Sequence, residues 1–117
     1  MWTEVWNDVV VGIDVHVREY TGTVVARLDR PVNVNRLCAV AAEDPAQYPL
    51  LSGVDDLDDT YFNWRQSVRL GQELKLLAGD GSDLELSEAA EAILLLVDLL
   101  PPAPKRPHHR LLIFNGD

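Results

Sequence analysis

Val9, Val11, Ile13, Val15 and Val17 alternate with Val10, Gly12, Asp14, His16 and Arg18. A period of two puts one set of side chains on each face of an extended chain, so the stretch predicts a half-buried strand. Tyr20-Thr21-Gly22 follows, and Gly22 can take the positive φ that a tight turn demands. Thr23 to Leu28 is a second β-rich run. The two runs predict an antiparallel hairpin, closed by the strand-breaking Asp29-Arg30-Pro31. Trp2, Val5 and Trp6 are expected to cover one edge or end of the sheet.

Beyond the hairpin the pattern changes. Val34 to Ala42 reads equally as a short helix or as irregular structure. Pro45 and Pro49 place a loop over Glu43 to Pro49, and Leu50 to Val54 reads as a short strand. Tyr61, Trp64, Val68, Gly71, Leu74 and Leu77 follow the three/four spacing of a helical stripe. They predict a helix from Tyr61 to Ala78, capped by Asp59 or Thr60 and stopped by Gly79. Gly71 inside it suggests a close packing contact. A second helix is expected from Ser82, where Ser82 and Glu85 have capping-box spacing. Leu86, Ala89, Ala90, Ile93, Leu96, Val97 and Leu100 form its core stripe, and Pro101-Pro102 ends it. Leu94, Leu95 and Leu99 fall off that stripe and suggest burial under Trp2 and Trp6, or a dimer contact. Leu111 to Phe114 is a last strand. The expected fold is α+β: an antiparallel sheet, built from the N-terminal hairpin and the C-terminal strand, with two helices on one face.

The chain has 117 residues, which fits a single domain over 1–117 that buries its own core. Cys38 is its only cysteine, so it has no internal disulfide, in keeping with a reducing compartment. The first eight residues hold Glu4 and Asp8 and no Lys or Arg, unlike a secretory leader. The apolar run Ile93 to Val97 is too short to span a bilayer. These features predict a cytoplasmic, non-membrane protein.

The net charge is -9. No Lys or Arg lies between Arg36 and Arg65 or between Lys75 and Lys105. Such a surface repels phosphate backbones and anionic lipid, and it favours a basic partner that associates quickly and salt-sensitively. The densest point is Asp55-Asp56-Leu57-Asp58-Asp59-Thr60, with Tyr61-Phe62-Asn63-Trp64 directly after it. Anionic side chains at a helix entrance each contribute about 0.3–1 kcal/mol. One or two suffice for capping, so four carboxylates leave a surplus.

Asp56-Leu57-Asp58-Asp59-Thr60 resembles the Asp-x-Asp-x-Thr nucleophile loop of haloacid-dehalogenase-like phosphatases. There the first Asp attacks phosphorus and the second protonates the leaving group. Gly79-Asp80-Gly81-Ser82-Asp83 is similar to that family's later magnesium motif, and Lys75 to its phosphate-neutralising lysine. The resemblance implies a doubly wound parallel sheet with the loop after its first buried strand. Here the loop lies mid-chain after a hairpin, with only one helix before the second acidic motif, so the context is missing. An EF-hand fails as well: counted from Asp56, position six is Tyr61 and position twelve is Ser67. No His or Cys spacing suits zinc. His16 is expected on the polar face of the first strand, His108 and His109 in a basic linker, and Cys38 as a small buried hydrophobe.

Asp59-Thr60-Tyr61-Phe62-Asn63, the helix after it and the ending His109-Arg110-Leu111-Leu112-Ile113-Phe114-Asn115-Gly116-Asp117 resemble a group of small uncharacterised bacterial proteins. Members of that group are similar in layout: a hairpin, an acidic turn with Asp-Thr-x-Phe-Asn, two helices and a C-terminal strand ending in Gly-Asp. The resemblance implies no known activity. It implies that Thr60, Phe62 and Asn63 belong to a shared helix-entry turn. Where this chain has Leu57-Asp58, the group more often has an aromatic and Gly.

The functional expectation is a protein-binding module without catalytic residues, cofactor or metal. Its most concrete form is an immunity or inhibitor protein that neutralises a basic toxin or enzyme. The expected contact residues are Asp55, Asp56, Asp58 and Asp59, with Tyr61 as an aromatic anchor. It is expected to be a monomer or homodimer that binds neither nucleic acid nor membrane. The alternatives are a minimal magnesium phosphatase using Asp56 and Asp58, and a homo-oligomer joined through Leu94, Leu95 and Leu99.

Overall fold

A computed structural model describes residues 12–105 and 109–116. The expectations for Trp2, Val5, Trp6, Val9, Val10, Val11 and His108 lie outside the described residues. Strands β1 (Asp14–Glu19) and β2 (Val24–Arg27) form the expected antiparallel hairpin. Glu19 N–H donates to the Thr23 carbonyl at 2.9 Å, and Gly22 N–H to the Glu19 carbonyl at 2.8 Å. Gly22 has φ +103°, the left-handed region that only glycine enters without cost. Val17 faces Ala26 and Arg18 faces Val24, so Val25 is an extra residue that bulges β2.

Helix α1 (Val34–Ala42) resolves the open stretch. Asn33 caps it, its side chain accepting from Arg36 N–H at 3.0 Å, and Val34, Leu37, Cys38 and Ala41 are its buried side. The expected strand at Leu50 to Val54 is instead a 3₁₀ turn, Leu51–Gly53. The third strand is β3 (Asp59–Asn63), where a helix entrance is expected from the sequence. Helix α2 (Ser67–Ala78) starts later, after a 3₁₀ turn over Trp64–Gln66. Its N-cap is Gln66, which makes no side-chain capping bond, and neither Asp59 nor Thr60; the capping box belongs to the 3₁₀ turn before it. Asn63 Oδ1 accepts from Arg65 N–H at 3.0 Å, and Gln66 Oε1 accepts from Asn63 N–H at 2.8 Å, a reciprocal box. Thr60, Tyr61 and Phe62 are β-branched or aromatic, and pairing with a distant strand overrides the helical spacing that Tyr61 shares with Trp64 and Val68.

The buried side of α2 is therefore Ser67, Leu70, Glu73, Leu74 and Leu77, while Val68 is 72% exposed. Gly79 stops the helix at φ +58°. Helix α3 (Leu84–Val97) is capped by Asp83, not Ser82: Leu86 N–H donates to Asp83 Oδ1 at 3.2 Å. Ala89, Ala90, Ile93, Leu96, Val97 and Leu100 are buried as expected. Of the off-stripe leucines, Leu94 and Leu99 pack against the core and Leu95 is exposed.

Strand β4 (Arg110–Asn115) enters the middle of the sheet, giving the order β2-β1-β4-β3 with every pairing antiparallel. Val15 and Val17 of β1, Phe62 of β3 and Leu112 and Phe114 of β4 share one core with the buried sides of α1, α2 and α3. Phe62 and Phe114 meet edge to face at 5.8 Å. The α+β expectation holds, with three helices among the described residues instead of two. No helix among the described residues is long and apolar enough to cross a membrane.

Two polar ties hold the layers in place. Glu73 is fully buried on α2 and accepts from Leu50 N–H at 3.2 Å and Leu51 N–H at 3.0 Å. Arg69 donates to Glu73 at 3.2 Å and to the Gln47 carbonyl at 3.2 Å. The pair straps the segment from Gln47 to Leu51 onto α2 and satisfies its amides. Arg36 on α1 makes a two-pronged pair with Asp83 at 2.6 and 2.8 Å, and reaches Glu85 at 3.1 Å. Hydrogen bonds from Arg36 and from Leu86 N–H hold the Asp83 carboxyl down at about 2.

Candidate functional site

Asp55, Asp56 and Asp58 lie on an exposed turn between the Leu51–Gly53 3₁₀ turn and β3, and Asp59, also exposed, is the first residue of that strand. The turn is internally braced. Asp55 accepts from Leu57 N–H at 2.8 Å, Asp58 accepts from Asp59 N–H at 2.8 Å, and Thr60 Oγ1 accepts from Asp55 N–H at 3.3 Å. Asn115 donates to Asp59 at 2.8 Å, across a sequence separation of 56. Gly116 N–H donates to the Asp58 carbonyl at 3.2 Å. A Cβ at Gly116 would overlap that carbonyl and lie 2.6 Å from the Asp55 carbonyl and 2.7 Å from Asp58 N. Asn115-Gly116 therefore forms the seat of the acidic turn, and only glycine fits so close to another backbone.

No ion pair joins any of these four carboxylates to another described residue. The hydrogen bonds of the turn hold the four in place against their mutual repulsion. Among the described residues no three His, Cys, Asp or Glu side chains converge on a possible metal position. Nor does the turn sit at the end of a parallel strand: it leads into β3, an antiparallel edge strand. Asp56 and Asp58 thus lack the parallel-sheet setting of the phosphatase loop they resemble.

Tyr61 belongs to β3, not to a helix, and is 48% exposed. It lies opposite Ile113, which lies opposite His16, on the sheet face turned away from the core cluster. The Arg18 guanidinium stands 5.8 Å from the Tyr61 ring centroid, a cation–π distance. Acidic turn and tyrosine are brought together, since Asp59 and Tyr61 share one face of the strand.

His16 lies on the expected face but is buried, and its Nδ1 has no hydrogen-bond partner among the described residues. Burial pushes its pKa down against the pull of Asp14, whose carboxylate is 3.8 Å away; Arg27 and Arg18 add to the depression. Cys38 is the buried hydrophobe expected, and burial, helped by the charge of Asp56, raises its thiol to about 12, so it carries no thiolate near neutrality.

Sequence reasoning missed a second cluster. Tyr20, Asn63, Trp64, Arg65, His109 and Leu111 line a cleft of about 540 Å³ where β1 and β3 end and β4 begins. Trp64 is 37% exposed, not part of a buried stripe, and Tyr20 is 68% exposed. Tyr20 and His109 meet edge to face at 5.0 Å, and the Arg65 guanidinium stands 5.5 Å from the Trp64 ring centroid. No local motif marks this cleft, because antiparallel register assembles it from three separate segments. A larger groove of about 1320 Å³ lies between the 28–33 segment and the start of α3. Several of its polar groups are engaged within the fold: Arg30 pairs with Asp29 at 3.1 Å, and Asn35 accepts from Ile13 N–H at 2.8 Å. No family model, no curated protein and no solved structure matches the chain.

Proposed function

We propose that the protein is a binding module whose acidic turn engages a basic protein, in its most concrete form an immunity or inhibitor protein acting on a toxin or enzyme. One observation carries this reading: four exposed carboxylates with no ion pair to any other described residue stand on a turn locked by Asn115 and Gly116. A turn held in shape pays little ordering entropy on association, and unpaired charge is free to meet a cationic surface. Tyr61 beside the turn supplies an aromatic anchor of the kind that dominates interface energetics.

The test is calorimetric binding of the full chain to the basic proteins encoded beside it, at two salt concentrations. Binding should be tight at low salt and weaken as salt rises. The quadruple change of Asp55, Asp56, Asp58 and Asp59 to Asn should weaken it about 100-fold or more, and Tyr61→Ala about tenfold. Binding that ignores both salt and the Asn changes would sink the reading. The same preparation should release no phosphate from an aryl phosphate with magnesium, and Asp56→Asn should leave that result unchanged.

A further inference from the structure

Carboxylates outnumber Lys and Arg in this chain by 19 to 10, so an arginine without a carboxylate partner is unexpected. Arg18 and Arg65 are two such arginines. Neither forms an ion pair with a described residue, and each stands over an aromatic ring instead. Both belong to one end of the sheet, because Arg18 and Asn63 flank Leu111 on either side of β4 and Arg65 follows two residues after Asn63. There the cleft lined by Tyr20, Trp64, Arg65 and His109 opens, at the opposite end of β3 from the acidic turn. Its volume of about 540 Å³ falls within the range of small-molecule sites, which run to roughly 300–1,000 Å³.

The chemistry of the lining is specific. Aromatic faces stack on flat rings, and stacking is indifferent to the identity of the ring. A guanidinium resting on an indole keeps its N–H fork free for an oxyanion, and losing less freedom on binding makes that fork effective. Asn63 adds an amide at the same edge. We propose that this cleft is a binding site for a small ligand that joins a flat heteroaromatic ring to an anionic group, with nucleoside phosphates as the chemical class. The ring stacks on Trp64 and Tyr20, and the phosphate oxygens accept from Arg65. A long polyanion is disfavoured, because the net charge of -9 repels every phosphate that lies outside the cleft. The site goes beyond the acidic-turn reading and uses none of its residues.

Titration calorimetry of the full chain with AMP, adenosine and inorganic phosphate tests the assignment. AMP should bind, and adenosine and phosphate should each bind about tenfold or more weakly, since each offers half of the recognition. Arg65→Ala should weaken AMP about 10- to 100-fold, the range for a lost hydrogen bond to a charged group, and Arg65→Lys should recover only part of it. Trp64→Ala should weaken AMP while Trp64→Phe retains it. Gln72→Ala, on an exposed part of α2, should change nothing. Circular dichroism of each variant confirms that the fold is kept. No AMP binding at millimolar concentration would overturn the proposal. So would adenosine or phosphate binding as well as AMP, a DNA hexanucleotide binding more tightly than AMP, or indifference to both Arg65→Ala and Trp64→Ala. Failure here leaves the acidic turn untouched, because the Asn changes there are scored on a protein partner.

Discussion

Two glycines with opposite constraints show how far a residue's role depends on what lies above its Cα. Gly116 faces the backbone of Asp55 and Asp58 at distances no Cβ tolerates, whereas a Cβ on Gly71 would rest 4.0 Å from Leu94 Cδ2, an ordinary contact. Gly71→Ala should therefore stabilise the protein by about 0.5–1 kcal/mol, since helix interiors favour Ala by that amount and nothing must move. Gly116→Ala should destabilise it by about 1–3 kcal/mol, the usual cost of forced overpacking, because the obstructing atoms are backbone. Urea unfolding of both variants reads the two signs. The sequence suggests a tight contact at Gly71 and gives no hint of what Gly116 packs against. A helical position advertises a glycine as anomalous, but a chain-end glycine looks ordinary until its distant neighbour is known.

At the scale of elements, the ties between helices and loops set local stability. Glu73 satisfies the amides of Leu50 and Leu51 from inside the core. Glu73→Ala should cost about 1–3 kcal/mol for each buried amide left without a partner, and hydrogen exchange should rise first at Leu50 and Leu51. Asp83 serves α3 twice, as its cap and as the acceptor of Arg36 from α1. Its folded pKa of about 2 lies below the ordinary carboxyl value of 3.8, so its stabilising contribution is present above 3.8 and is lost as pH falls towards 2. Acid unfolding should accordingly show a component between about pH 4 and 2 that Asp83→Asn removes, because Asn still caps but cannot be protonated. A thermal-melt series over that pH range checks it. The existence of α3 and its buried stripe were legible because they are local and periodic. Its cap was misplaced by one residue, which is the resolution that spacing alone allows.

The whole molecule is organised around a strand contributed from the far end of the chain. β4 pairs with β1 on one side and β3 on the other, so the sheet cannot close without it. A chain ending at His109 should lose the cooperative unfolding transition by circular dichroism, because β3 would have no neighbour and the β1–β2 hairpin is only marginally stable alone. β4 also decides the two surfaces of interest. Asn115 and Gly116 seat the acidic turn at one end, and His109 and Leu111 line the aromatic cleft at the other.

The chain's own periodicities determined the hairpin, the stripe of α3, the stop at Gly79 and the segregation of negative charge, all of which are properties of neighbours in sequence. Only the tertiary structure decided that Asp59 to Asn63 is a strand, that α2 buries Leu70 and Glu73 and exposes Val68, and that Trp64 opens to solvent beside Tyr20 and His109. The physical reason is the same in each case. Thr60-Tyr61-Phe62 is compatible with either backbone, and the choice falls to hydrogen bonds with a strand some fifty residues away.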